Sequence, residues 1–184
     1  MTIDESRAPS PDPVSQGKAY QAVLLAALGD DDPATAQAST PAKLRALVAE
    51  AGADVRTPPE PGEWSVLECL GHIADGELVA SARYRWIIAQ DAPDLVGYDQ
   101  DRWVARLGHR EDDPAALLDW FEALRRANLA LWARSGATDG ARIGLHRERG
   151  LESYDLTFRL AAGHDRIHLA QAQRALAMIR RRIG

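Results

Sequence analysis

A chain of 184 residues with 46% hydrophobic and 27% charged residues holds enough apolar material for a buried core and is too hydrophobic to remain unfolded. Its formal net charge of −5 leaves no cationic excess to neutralise a run of phosphates, so nucleic acid is not an expected partner. Cys69 is the single cysteine, which excludes an internal disulfide and fits a reducing, cytoplasmic setting.

Residues 1–17 carry Asp4, Glu5, Pro9, Pro11 and Pro13 and no apolar core of the signal-peptide kind. They are expected to form a flexible N-terminal arm, with residues 18–184 as a single helical domain. No apolar run approaches the roughly 18 to 20 residues of a membrane-spanning helix, so no membrane partner is expected. Beyond the arm, apolar residues recur at helical spacing almost everywhere and strand-like alternation is hard to find, which predicts an all-α fold.

A first helical region covers about residues 18–52, broken at Gly29, Asp30, Asp31, Asp32 and Pro33, with a restart at Thr40 and Pro41 as N-cap and first helical position. Pro58, Pro59, Pro61 and Gly62 then make a loop. Ser65 and Glu68 form a capping box, and Trp64 is placed to staple against Cys69, so the next helix starts here and runs to about Gln90, before Pro93. Residues 94–112 read as a long crossover connection with a short helix near Tyr98 to Arg106. Asp113 and Pro114 open a third helix with the apolar stripe Leu117, Phe121, Leu124, Leu131, and Ser135 and Gly136 close it. A loop with Gly140, Gly144 and Gly150 leads to Ser153, the N-cap of a last helix from about Tyr154 to Arg181.

His164 and His168 stand at i and i+4 on that last helix, so both rings leave one face, among Thr157, Leu160, Ala161, Gln171, Ala172 and Ala175. His72 shares its own helix face with Cys69, Gly76 and Val79. Two readings stay open on these residues alone. Each imidazole simply hydrogen-bonds a neighbour in the bundle, or the three meet and ligate one metal from facing helices. His109 and His146 lie among charged residues in connecting segments and read as solvated, with His146 at the edge of a pocket. Trp64, Trp103 and Trp120 read as core or pocket walls, and Cys69 as core.

The stretches Trp64-Ser65-Val66-Leu67-Glu68-Cys69-Leu70-Gly71-His72-Ile73-Ala74-Asp75, Tyr98-Asp99-Gln100-Asp101-Arg102-Trp103 and Ala161-Ala162-Gly163-His164-Asp165-Arg166-Ile167-His168-Leu169-Ala170-Gln171 resemble the DinB/YfiT-like family in order and separation. The resemblance covers about residues 18 to 178. It implies a four-helix bundle with a long crossover connection and a divalent metal held by His72, His164 and His168. Around such a site Asp75 and Asp165 either orient an imidazole or sit solvated. Asn128 either supports the site or bonds helix to helix, and Gln171 is a further supporting candidate.

Three neutral imidazoles leave coordination positions open, and a nitrogen-only set accepts zinc or nickel first, with iron, manganese or cobalt as alternatives. Lowering the pKa of a bound thiol would make a thiol S-transferase, which the resemblance favours because relatives include enzymes dependent on low-molecular-weight thiols. Lowering that of a bound water would make a hydrolase. A non-enzymatic, stress-associated binding protein is the rival class. The partner in each case is a small molecule, and the resemblance adds a homodimer.

Overall fold

A computed structural model describes residues 11–183. Its long helices begin where a side chain satisfies the backbone N–H groups that a helix start leaves without partners. Asp32 accepts from the Thr35 N–H at 2.7 Å and opens α2 (Pro33–Ala51), after α1 (Gly17–Leu28). Ser65 and Glu68 close the reciprocal capping box of α3 (Val66–Ala89). Asp113 caps α5 (Pro114–Arg134), and the Ser153 hydroxyl accepts from the Leu156 N–H at the start of α7 (Tyr154–Ile183). Shorter pieces lie between them: β1 (Asp94–Leu95), α4 (Gln100–Leu107), α6 (Ala137–Gly140), β2 (Ile143–His146) and β3 (Gly150–Ser153).

The architecture is a four-helix bundle of α2, α7, α3 and α5 in that order around the axis, with α1 laid against the outer side of α7. Consecutive α2 and α3 thus stand mainly across the bundle from one another, and the segment around residues 52–65 carries the chain over its end. Apolar side chains fill two clusters inside the bundle, and Tyr20, Leu24 and Leu160 make a third where α1 meets α7. Leu67, Leu70, Phe121, Ala172 and Leu176 belong to one of the inner two, and Tyr84, Ile87, Tyr154 and Phe158 to the other.

Between these clusters the core is polar. Arg125 on α5 is 1% exposed, and its Nη1 donates to the Gln37 carbonyl on α2 and to Asp165 on α7, while Nη2 donates to Glu77 on α3. Asn128 donates to Glu77 at 2.7 Å and accepts from Ser81, a helix-to-helix bond, and Thr40 donates to Asp165 at 2.8 Å. The buried stripe of α5 is therefore Leu117, Leu118, Phe121, Arg125 and Asn128; the expected Leu124 and Leu131 sit at its half-buried margin. Trp120 is exposed rather than core.

Two further expectations are corrected. The second helix does not restart at Thr40 and Pro41, because Asp32 and Pro33 already supply a complete start and the helix runs through Pro41. A proline there has no N–H for the carbonyl four residues back, which is that of Gln37. Arg125 takes that carbonyl at 2.9 Å, so the missing helical bond is replaced by a tertiary one. The segment around Gly144 and Gly150 is not a plain loop: β2 pairs antiparallel with β3 and parallel with β1. Its inward residues are Gly144 and His146 while Ile143 and Leu145 face out, the reverse of ordinary strand patterning. Residues 1–10 of the expected N-terminal arm lie outside the described residues. Residues 12–16 form a hydrogen-bonded turn in which Asp12 accepts from the N–H groups of Val14 and Ser15. No described helix is long and apolar enough to cross a membrane.

Helix α1 approaches α7 so closely that a Cβ at Gly163 would stand 2.0 Å from the Leu24 carbonyl oxygen. Backbone cannot yield as a flexible side chain does, so Gly163→Ala is expected to lose on the order of 1–3 kcal/mol of stability. A lower urea midpoint at unchanged slope checks this.

Candidate metal centre

Helix α3 delivers His72 and α7 delivers His164 and His168 to one point between them. The His72 Nε2 lies 2.9 Å from the Nε2 of His164 and 3.1 Å from that of His168, and the ligand-type atoms of all three fall within 4.8 Å of one another. His72 and His168 are buried, and His164 is half-buried where it lines a cavity. Gly76, one turn beyond His72, makes room for the cluster, since a Cβ there would be 2.9 Å from the His164 Cε1. Trp64 walls the opposite side, its ring stacked on His168 at 5.9 Å and tilted against His72 at 5.0 Å. Trp64 also packs on the cluster that contains the fully buried Cys69. Tyr98 faces the His72 ring at 6.4 Å and is itself backed by Trp103 at 4.4 Å.

Electrostatics keeps these rings neutral. Burial, reinforced by the neighbouring histidines, holds His72 and His164 well below their ordinary 6.5, and burial brings His168 down to about 4. A neutral imidazole carries one proton. On His168 that proton is placed by Gln171, whose Oε1 is 2.8 Å from Nδ1, which leaves the Nε2 lone pair free. On His72 a proton at Nε2 can meet one of its two nitrogen neighbours, and a proton at Nδ1 has no partner among the described residues. Hydrogen bonding within the cluster is therefore incomplete. A cation would satisfy every lone pair at once, and the separations of 2.9 and 3.1 Å approach the edge of about 3.3 Å expected between nitrogens bound tetrahedrally at about 2.05 Å. The donor set fits a divalent metal.

Of the candidate supporting residues, Gln171 touches the cluster and the other three do not. Asp75 is buried and turned to His109, whose Nε2 is 2.8 Å away. Asp165 binds Arg125 and Thr40, and Asn128 binds Glu77 and Ser81. His109 and His146 are not solvated, being 4% and 3% exposed. Gly71 opens the space for His109, as a Cβ there would reach its Cγ at 2.3 Å. His146 projects inward from β2 between the Arg83 Nη2, 3.1 Å from its Nε2, and the Glu148 Oε2, 3.0 Å from its Nδ1. It also borders the cavity, as expected. Reading the chain alone missed Arg83, Glu77, Arg125 and Glu148. The pairing of Gly71 and Gly76 around His72, two positions where a Cβ would meet a histidine ring, was the one local signal of the crowding.

Bundle and cluster together define a helical protein with a candidate three-histidine metal centre. Residues 36–172 match the DinB superfamily, and the chain belongs to it. A protein of Oceanobacillus iheyensis whose name proposes a metal-dependent hydrolase is 29% identical over 109 residues, which span 59% of this chain and 63% of that relative. The match thus leaves more than a third of that relative uncovered. YfiT from Bacillus subtilis, described as a probable metal-dependent hydrolase with an unusual four-helix bundle topology, superposes with a TM-score of 0.70 at 20% identity, over 98% of this chain and 93% of that one. This second likeness establishes the shared fold.

The buried rings set the pH response of the metal-free protein. The unfolded chain takes up protons near 6.5, while folded His168 waits until about 4 and His146, depressed by burial and then by Arg149 and Arg83, until about 3. Their stability contribution is full above about pH 6.5 and is lost as pH falls below it, so urea midpoints should drop from pH 7 to 4.5. His109 runs the other way. Hydrogen bonding to Asp75, with help from Asp112, raises its pKa, so its contribution is full below 6.5 and fades as pH rises through the raised value. His109→Gln should therefore lose more stability at pH 6 than at pH 9.

Proposed function

We propose that His72, His164 and His168 hold one divalent metal ion, zinc or nickel first among those a nitrogen-only set accepts, and that the chain is a metal-dependent hydrolase of a small molecule. The observation that carries this is the convergence of three neutral Nε2 atoms beside a cavity, with Gln171 fixing the tautomer of one. The names of the relatives support hydrolysis over other uses of such a centre. When bound, the ion would supply Lewis acidity toward a water, a thiol or a carbonyl.

The chain's own residues do the rest. The imidazoles present lone pairs because burial keeps them unprotonated at neutral pH. Trp64 packs on His72 and His168, Tyr98 packs on His72, and His164 is half-buried where it lines the cavity from which a small molecule would approach. Cys69 supplies no nucleophile: it is fully buried and burial pushes its thiol up to about 12. A thiol-transfer reaction would thus draw its thiol from solution.

Untagged protein is expected to carry about one metal per chain. The variants His72→Ala, His164→Ala and His168→Ala should lose it while keeping helical circular dichroism and a cooperative unfolding transition. Gln171→Ala should weaken metal affinity about 10- to 100-fold. Ester hydrolysis should vanish on chelation and return with added zinc. Full occupancy in all three histidine variants refutes the ligand set. Metal-dependent consumption of a thiol acceptor with inert esters would assign thiol transfer instead, and inertness in both panels with tight small-molecule binding would assign a binding protein.

A further inference from the structure

Three arginines are buried among the described residues, and two have carboxylates: Arg125 binds Glu77 and Asp165, and Arg149 binds Glu152. Arg83, 8% exposed on α3, has none within ion-pair distance among the described residues. Its Nη2 donates to the Val96 carbonyl at 2.6 Å and to the His146 Nε2 at 3.1 Å, both neutral acceptors, and its Nε has no partner. A buried guanidinium in that state is costly unless a charge arrives to meet it.

Arg83 lines the same cavity as His164, a space of about 800 Å³ that includes solvent at its mouth. By helical order it stands about three turns from His72, about 16 Å of rise, and its side chain leans back toward the α3 N-terminus. Val79 and Ala80 of α3 and Leu160 and Ala161 of α7 line the stretch between. Of the other charges lining the cavity, all but Glu148 have a charged partner among the described residues. Glu77 and Asp165 face Arg125, Arg149 faces Glu152, and Glu148 is separated from Arg83 by the His146 ring. Burial, and then the nearby Arg149, bring Arg83 down to about 10 against the opposite pull of Glu152, Tyr98 and Glu148.

We propose that Arg83 anchors a carboxylate, and that the cavity takes a small acid with an apolar stem whose far end reaches the histidine cluster. One monoanion balances the single positive charge of Arg83, whereas a phosphate dianion would bury a second, uncompensated one. The inference rests on the hydrolase reading only for what happens at the far end. Carboxylate binding itself needs no metal.

Hexanoate and its neutral isostere hexanamide test this on zinc-loaded and metal-stripped full-length protein by calorimetry. Hexanoate should bind about 10- to 100-fold tighter than hexanamide in both forms, and Arg83→Gln should erase the difference while leaving metal stoichiometry unchanged. In protein labelled with ¹⁵N-arginine, one side-chain Nε–H resonance should move on adding hexanoate and stay on adding hexanamide. That readout stands even if Arg83→Gln fails to fold. Equal affinity for the two probes, no binding of hexanoate, or a preference that survives Arg83→Gln or requires zinc overturns the proposal. Failure of metal uptake with the preference intact would instead sink only the hydrolase reading.

Discussion

The arrangement of the bundle depends on one guanidinium. Arg125 reaches from α5 to all three of the other bundle helices, taking a carbonyl of α2 and carboxylates of α3 and α7. Apolar interfaces alone tolerate small rotations and slides of one helix against another, because dispersion and burial are weakly directional. Hydrogen bonds between charged groups are directional, and in a site this dry a lost partner costs about 3–5 kcal/mol. Whether the ion pairs add net stability over an apolar replacement is secondary. Their physical effect is to fix the angular register of α3 against α7.

The histidine cluster inherits that register. Glu77 follows Gly76, against which the His164 ring packs, and Asp165 follows His164 itself. A helix rotated enough to break either carboxylate contact would carry the imidazoles apart as well. Glycine completes the arrangement on the other side, since Gly71, Gly76 and Gly163 admit respectively a ring, a ring and a backbone into positions that a methyl group would occupy. The charged core and the small residues are thus two halves of one device: the first sets orientation, the second permits close approach.

Those parts of the molecule governed by local rules were legible in the chain. Ser65 and Glu68 announced the start of α3, and the four-residue spacing of His164 and His168 placed both rings on one face of α7. The family resemblance then brought His72 to them. Parts governed by a distant partner were not legible. Asp75 and Asp165 lie near the histidines in the chain, but neighbours on a helix point in different directions, and each carboxylate belongs to another partner, His109 and Arg125 respectively. His109 looked solvated because its neighbours are charged, but it is buried between one of them, Asp112, and the distant Asp75 of α3. Arg83 and Arg125 sat unnoticed in helices with many arginines, where only tertiary contacts separate a core guanidinium from a surface one. The β2–β3 pair escaped because its inward positions are a glycine, a histidine and a glutamate.

The proline inside α2 bears on how this fold can be altered. Helix-breaking residues are the usual first targets when a protein is to be made more heat-resistant, because an interior proline withholds a main-chain bond and crowds the preceding turn, a loss of about 3 kcal/mol in an isolated helix. At Pro41 the withheld bond is what leaves the Gln37 carbonyl turned inward for Arg125. Repairing the helix there would set a new amide in competition for that oxygen, so an apparent defect of one segment works as the socket into which its neighbours plug.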